Sequence, residues 1–196
     1  MRKYFPVLQY INVPNFITTL GLIFGIIASY YMVNDNLRGA IIALFFATSM
    51  DLIDGFFAGR LNQGTKFGQY ADSLVDFFVC CTIPVWMVFI FVGHSLIVTA
   101  GLIFFCIAGL WRLAYYNVIE DKGYFTGLPV PGGALLTILA IWAVIEYGLP
   151  LWIASVIFFA VGLLMVSFVR LKKYGLWQKA LWGMGLVFLV YVVIRS

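Results

Sequence analysis

The sequence predicts an all-α integral membrane protein with about seven transmembrane helices and an N-terminal amphipathic surface helix. Three observations carry that expectation. The 196 residues are 64% hydrophobic and only 10% charged, more apolar surface than a soluble domain of this length can bury. Apolar runs near the ~20 residues needed to cross the hydrocarbon core recur along the chain. The loops between them are brief. Residues 1–196 therefore read as one membrane-embedded domain, without soluble module, repeat or low-complexity tract.

The elements follow in order. "MRKYFPVLQYINVPN" is too short and mixed for the apolar core of a cleaved signal peptide, and no small-residue cleavage site follows it. It reads as the surface segment, with Arg2 and Lys3 near anionic headgroups. Spans are expected over 15–34, 38–60, 68–93, 95–118, 130–147, 149–170 and 177–195, the fifth of them short. Cys80, Cys81 and Cys106 fall inside apolar spans at a spacing that matches no metal motif, so they read as small buried hydrophobes. His94 falls in a loop and takes no role. Asp35 and Glu146 read as solvated helix ends.

Charge placement sets the expected orientation. With the N-terminus inside and seven alternating spans, the inner side holds Arg2, Lys3, Arg60, Lys66, Arg112, Lys122, Arg170, Lys172, Lys173 and Lys179. Of the 12 basic residues only Arg38 and Arg195 stay outside, as the positive-inside bias requires. The protein is thus expected in the cell (cytoplasmic) membrane, multi-pass, with the junction of the second and third spans open to the cytoplasm. The net charge of +4 calls for no nucleic acid partner, because the basic residues are scattered along one membrane face. "RLKKYG" at 170–175 reads as a topology and lipid-headgroup signal.

That junction carries the chemistry. Of 8 acidic residues, Asp51, Asp54, Asp72 and Asp76 fall within 26 positions. Carboxylates are expensive in a membrane and normally face the bundle interior, where they work. Spacings of three and four residues put each pair on one helix face. The polar turn "LNQGTK" makes the two helices antiparallel neighbours, so the faces can meet. Four like charges at close range call for a cation. The oxygen-only donor set suits magnesium, manganese or calcium rather than zinc. Gly55, Ala58 and Gly68 flank the acids, and their small side chains leave room for a bulky ligand. Beside a metal that ligand is a phosphate or pyrophosphate, which points to phosphoryl transfer.

"DLIDGFFAGRLNQGTKFGQYADSLVD", from Asp51 to Asp76, closely resembles the signature of the CDP-alcohol phosphotransferase family, D-x-x-D-G-x-x-A-R, a spacer, then G-x-x-x-D-x-x-x-D. The resemblance implies a six-helix membrane core, here with an extra C-terminal helix, an N-terminal surface helix and a homodimer. It implies that Asp51, Asp54, Asp72 and Asp76 surround a divalent metal, Mg2+ or Mn2+. Asp76 would deprotonate the acceptor hydroxyl. The oxygen would attack the phosphorus attached to the lipid, and CMP would leave. Gly55, Ala58, Arg60 and Gly68 would lie along the CDP-lipid. "PNFIT" at 14–18 is similar to the family's Pro-Asn-x-x-Thr and adds Asn15 and Thr18 to that set. One position departs: Gly59 stands where the family has Arg, and Arg60 follows it.

Further stretches bear on the acceptor. "ADSLVDFF", "WRLAYYNV" and "YFTGLPVPGGALL" resemble the phosphatidylserine synthase branch. They differ from it at Tyr115, Gly132 and Gly133. Arg112 and Asn117 would bind the acceptor, Arg112 through an anionic group, and Pro129 and Pro131 would stiffen the turn beside the site. The expected reaction moves the phosphatidyl group from CDP-diacylglycerol to L-serine. Alternatives are another acceptor, such as glycerol 3-phosphate or inositol phosphate, and an ion transporter using the four aspartates. A transporter commonly shows inverted repeats and broken helices, and neither is visible.

Overall fold

The computed structural model of the chain describes residues 6–61, 63–119, 123–172 and 175–195, and its helices start where local chemistry provides a cap. Pro6–Tyr10 form a 3-10 turn. The rest of the expected surface helix, with Arg2 and Lys3, lies outside the described residues, as do Lys122 and Lys173. Helix α1 (Val13–Val33) opens on Asn12, whose side chain accepts from the Asn15 backbone N–H at 2.9 Å, with Pro14 in the first turn. The turn into α2 (Leu37–Leu61) puts Asp35 at φ 54, and Asn36 accepts from the Gly39 N–H at 2.8 Å. Helix α3 runs over Lys66–Val92 from a Thr65 cap that accepts from the Gly68 N–H at 3.0 Å.

Immediately past Asp76, α3 widens into a π-helical stretch, Phe77–Thr82, and does so again over Val88–Val92. Pro84, between them, has no N–H to continue the ladder. Helix α4 (Leu96–Val118) is capped by Ser95. Helices α5 (Val130–Glu146), α6 (Leu151–Met165) and α7 (Leu176–Ile194) complete the bundle.

Helices α1 to α4 and α7 are long and apolar enough to cross a membrane. The chain is an integral membrane helical protein. Helices α5 and α6 have 17 and 15 residues, and at 1.5 Å per residue they reach only about 26 and 22 Å. The span expected over 149–170 is therefore corrected at its end. Helix α6 stops at Met165, and strand β2 (Arg170–Lys172) pairs antiparallel with β1 (Tyr124–Thr126). Gly127 makes the approach possible. It sits at φ +77, and a Cβ there would strike the Met165 carbonyl oxygen. Its N–H donates to the Val169 carbonyl at 2.8 Å.

Small residues bring the helices together. A Cβ on Gly25 of α1 would lie 2.8 Å from Val79 of α3, and one on Gly21 would lie 3.3 Å from Met50 of α2. On α4, Gly109 faces Cys81 and Gly101 faces Ser155 of α6. Cys80 and Cys81 are buried free thiols in the core. Glu146 is more than a solvated end: it pairs with Arg195, joining the ends of α5 and α7.

Candidate active site

The four aspartates come from the facing ends of α2 and α3. Asp51 and Asp54 lie one helical turn apart on α2. Asp72 and Asp76 lie one turn apart on α3, which the short loop returns alongside α2. One carboxylate oxygen from each of Asp51, Asp72 and Asp76 falls within 4.8 Å of the others. Asp54 is 6% exposed, and its Oδ2 accepts the hydroxyl of Thr18 on α1. Asp54 thus stands at the edge of the triad, with its orientation set by a third helix. Cys80, one turn beyond Asp76 on the same face, directs its thiol to Asp76 Oδ1 at 3.8 Å.

The donor set tests whether a metal belongs here. Three carboxylate oxygens converge, a fourth carboxylate stands beside them, and no thiolate or imidazole joins the triad among the described residues. Hard oxygen donors of this number and sign fit a divalent cation such as magnesium or manganese.

Two cavities meet at Asp72. One, about 460 Å³, is lined by Pro14, Asn15, Thr18, Ala58, Gly68 and Asp72, together with the α2–α3 loop. Asn15 is locked in place: its Nδ2 donates to the Tyr10 carbonyl at 2.7 Å, and its Oδ1 lies against Gly68, where a Cβ would collide with it. Asn12 reaches across to the Gln63 carbonyl at 3.2 Å. Tyr10 stacks on Phe67 at 4.5 Å, so the N-terminal turn is pinned to the start of α3.

The other cavity, about 250 Å³, contains Asp51, Asp76, Ser73, Arg112, Tyr116 and Gln178 among its lining residues. Asp72 and Tyr116 belong to both cavities and form the wall between them. Arg112 is only 6% exposed, with its guanidinium carbon 5.6 Å from the centre of the Tyr116 ring. It does not snorkel to the headgroups; it stays within the bundle beside the acids. Phe125 of β1 and Pro129 and Pro131 at the start of α5 close the same cavity.

The sequence-expected residues distribute unevenly over this geometry. Asn15, Thr18, Ala58 and Gly68 gather in the larger cavity. Gly55 lies in the smaller one, and a Cβ there would meet nothing within 4 Å. Asn117 is not among the lining residues of either cavity. Its Nδ2 donates at 2.8 Å to Ser73 Oγ, so it meets the cavity through Ser73. Arg60 lines neither cavity and lies over the Phe56 ring at 5.9 Å on the exposed face of α2. Gly59, at the motif position itself, is likewise exposed and lines neither cavity. Sequence reasoning passed over Tyr116, Cys80 and Gln178. Tyr116 follows Arg112 by four residues and Cys80 follows Asp76 by four, so helical spacing carried a signal for both.

The chain is similar to known proteins of one family. The family model for CDP-alcohol phosphatidyltransferase matches residues 11–145. A CDP-diacylglycerol–serine O-phosphatidyltransferase of Methanocaldococcus jannaschii is 28% identical over 170 residues, covering 87% of this chain and 78% of its own. One of the same name from Helicobacter pylori is 27% identical, covering 93% of this chain and 81% of its own. A CDP-diacylglycerol–glycerol-3-phosphate 3-phosphatidyltransferase of Aquifex aeolicus is 37% identical over 65 residues, 33% of this chain and 36% of its own. A family match running from the α1 cap to the end of α5, across every helix that supplies a carboxylate, places the chain in the CDP-alcohol phosphatidyltransferase family of phosphotransferases.

Proposed function

We propose that the protein transfers the phosphatidyl group of CDP-diacylglycerol to L-serine, releasing CMP, with Mg2+ or Mn2+ at the aspartate cluster. The observation that carries this is that Asp72 of the cluster lines two different cavities at once. One holds the residues that the nucleotide motif supplies; the other holds Asp76 beside Arg112. A phosphate ester seated over the carboxylates reaches both.

Asp51, Asp54, Asp72 and Asp76 would hold the cation, which when bound neutralises charge on the pyrophosphate oxygens. Asn15, Thr18, Ala58 and Gly68 receive the cytidine nucleotide in the larger cavity. In the smaller one the acceptor lies with its hydroxyl toward Asp76 and its carboxylate toward Arg112. Asp76 takes the hydroxyl proton as the oxygen bonds to the lipid-side phosphorus. The phosphorus–oxygen bond to CMP breaks, and CMP carries away the electron pair. Thr18 and Cys80 orient Asp54 and Asp76, and Asn117 orients Ser73.

Serine is favoured over glycerol 3-phosphate as acceptor because relatives named for serine align along 87% and 93% of the chain, against 33% for the one named for glycerol phosphate. An ion transporter loses its support with the family assignment. The site opens to the cytoplasm, on the side of Arg60, Lys66, Arg170, Lys172 and Lys179. A homodimer, which the family resemblance implies, belongs to the same proposal.

The test is CMP release from CDP-diacylglycerol by purified protein, comparing L-serine, glycerol 3-phosphate, inositol and inositol phosphate with magnesium, with manganese and after EDTA. Metal-dependent release with serine alone is expected. Release with a different acceptor overturns the acceptor assignment, and release after EDTA overturns the metal.

A further inference from the structure

The wall of the smaller cavity is completed by a residue that lies beyond the family match, on α7. Gln178 lines the cavity that holds Asp51, Asp72, Asp76 and Arg112, although the match ends at residue 145. Its surroundings show why the side chain is there. Helix α7 reads LWQKALWGMGLVFLVYVVI, an apolar segment in which Gln178 is the sole amide. The helix is docked by its apolar and small residues: Gly185 lies against Phe45 and Leu135, Leu181 against Gly132, and Trp142 against Phe188. A second set of contacts fixes its first turn. The Trp177 indole N–H donates to the Lys172 carbonyl at 2.9 Å and its ring meets Phe125 edge-on at 6.4 Å. Phe125 in turn touches Tyr116 at 6.0 Å. The β1–β2 ribbon therefore sets the rotation of α7 and brings Gln178 to the cavity.

We infer that Gln178 is an acceptor-selecting residue, its amide oxygen accepting from the ammonium of an amino-alcohol acceptor while Arg112 takes the carboxylate. This rests on the proposed acceptor. Chemistry favours the division of labour: the carboxylates of the cluster are committed to the metal and to the hydroxyl proton, and Arg112 has only donors. Gln178 supplies a neutral acceptor oxygen and stands on a different helix from either. Its part is to tell acceptors apart, not to carry the chemical step.

The experiment is steady-state kinetics of Gln178→Leu and Gln178→Glu, with the wild type run alongside on L-serine. Losing a hydrogen bond to a charged group corresponds to a change on the order of tenfold or more in affinity. Gln178→Leu is expected to raise the serine KM by at least about tenfold, leaving kcat and the CDP-diacylglycerol KM within about twofold. Gln178→Glu keeps an acceptor oxygen and is expected to hold the serine KM within about threefold. If the leucine variant does not fold, Gln178→Ala replaces it with the same expectation. An unchanged serine KM overturns the inference, as does an equal rise in both KM values or a glutamate variant as poor as leucine. A wild type that turns over some other acceptor and not serine overturns the acceptor reading first, and the ammonium contact with it.

Discussion

Thr18→Val isolates one hydroxyl in the site. Thr18 is 6% exposed; its Oγ1 donates to Asp54 Oδ2 and also lies 3.2 Å from the Pro14 carbonyl. Valine keeps the branched shape and puts a methyl where the hydroxyl was, so the substitution reads the polar contact rather than a cavity. A hydrogen bond to a charged group contributes about 1.5–3 kcal/mol, which is roughly 10- to 150-fold in an equilibrium constant. Groups that orient metal ligands change metal affinity by about 10–100-fold when removed. The two estimates overlap, so the metal concentration for half-maximal CMP release is expected to rise by about 10–100-fold. Turnover at saturating metal should fall only a few-fold, because Asp76 and Arg112 are untouched. Thr18→Ser retains a hydroxyl and should restore most of the affinity. The assay is CMP release titrated with magnesium and with manganese, alongside thermal unfolding to confirm an intact fold. A valine variant with wild-type metal dependence and full turnover refutes the idea that Asp54 belongs to the metal cage and is held there by Thr18.

Three further outcomes are expected. Asp76→Asn should bind CDP-diacylglycerol normally by equilibrium binding yet turn over about 10²–10⁴-fold more slowly, the range for loss of a general base; near-normal turnover removes that role from Asp76. Gly68→Ala places a Cβ 3.2 Å from Thr65 Oγ1 and into Asn15 Oδ1, so the KM for CDP-diacylglycerol should rise while that for the acceptor holds, and the reverse split would put the nucleotide in the other cavity. Gly59→Arg restores the family's motif residue at a position where a Cβ meets nothing within 4 Å. It should leave the thermal midpoint unchanged or raise it, since replacing an exposed glycine within a helix is worth up to about 1 kcal/mol, and a lowered midpoint contradicts the open space seen there.

Much of the site is legible in the sequence because its signal is local. Spacings of three and four residues put Asp51 with Asp54 and Asp72 with Asp76 whatever the rest of the chain does, and a short polar loop obliges their helices to be neighbours. Composition alone demanded a membrane protein, since 64% hydrophobic residues leave no other solvent. Where local pattern is weak, tertiary contacts decided. A three-residue strand has no measurable period, so the β1–β2 ribbon emerges only when α6 ends at Met165 and Gly127 lets the chains approach. Local pattern leaves the direction of Arg112 open; in the folded bundle it is buried in the wall of the cavity that Asp51, Asp72 and Asp76 also line. Arg60 shows the converse, a residue the motif pattern puts near the substrate and the fold puts on the exposed face of α2, outside both cavities. Asp54 and Thr18 are 36 positions apart, and Gln178 lies more than 100 residues from the aspartates. Periodicity reports which residues share a face of one helix. Which faces meet, and what cavity they leave between them, depends on side chains from several helices at once, and that only the folded bundle determines.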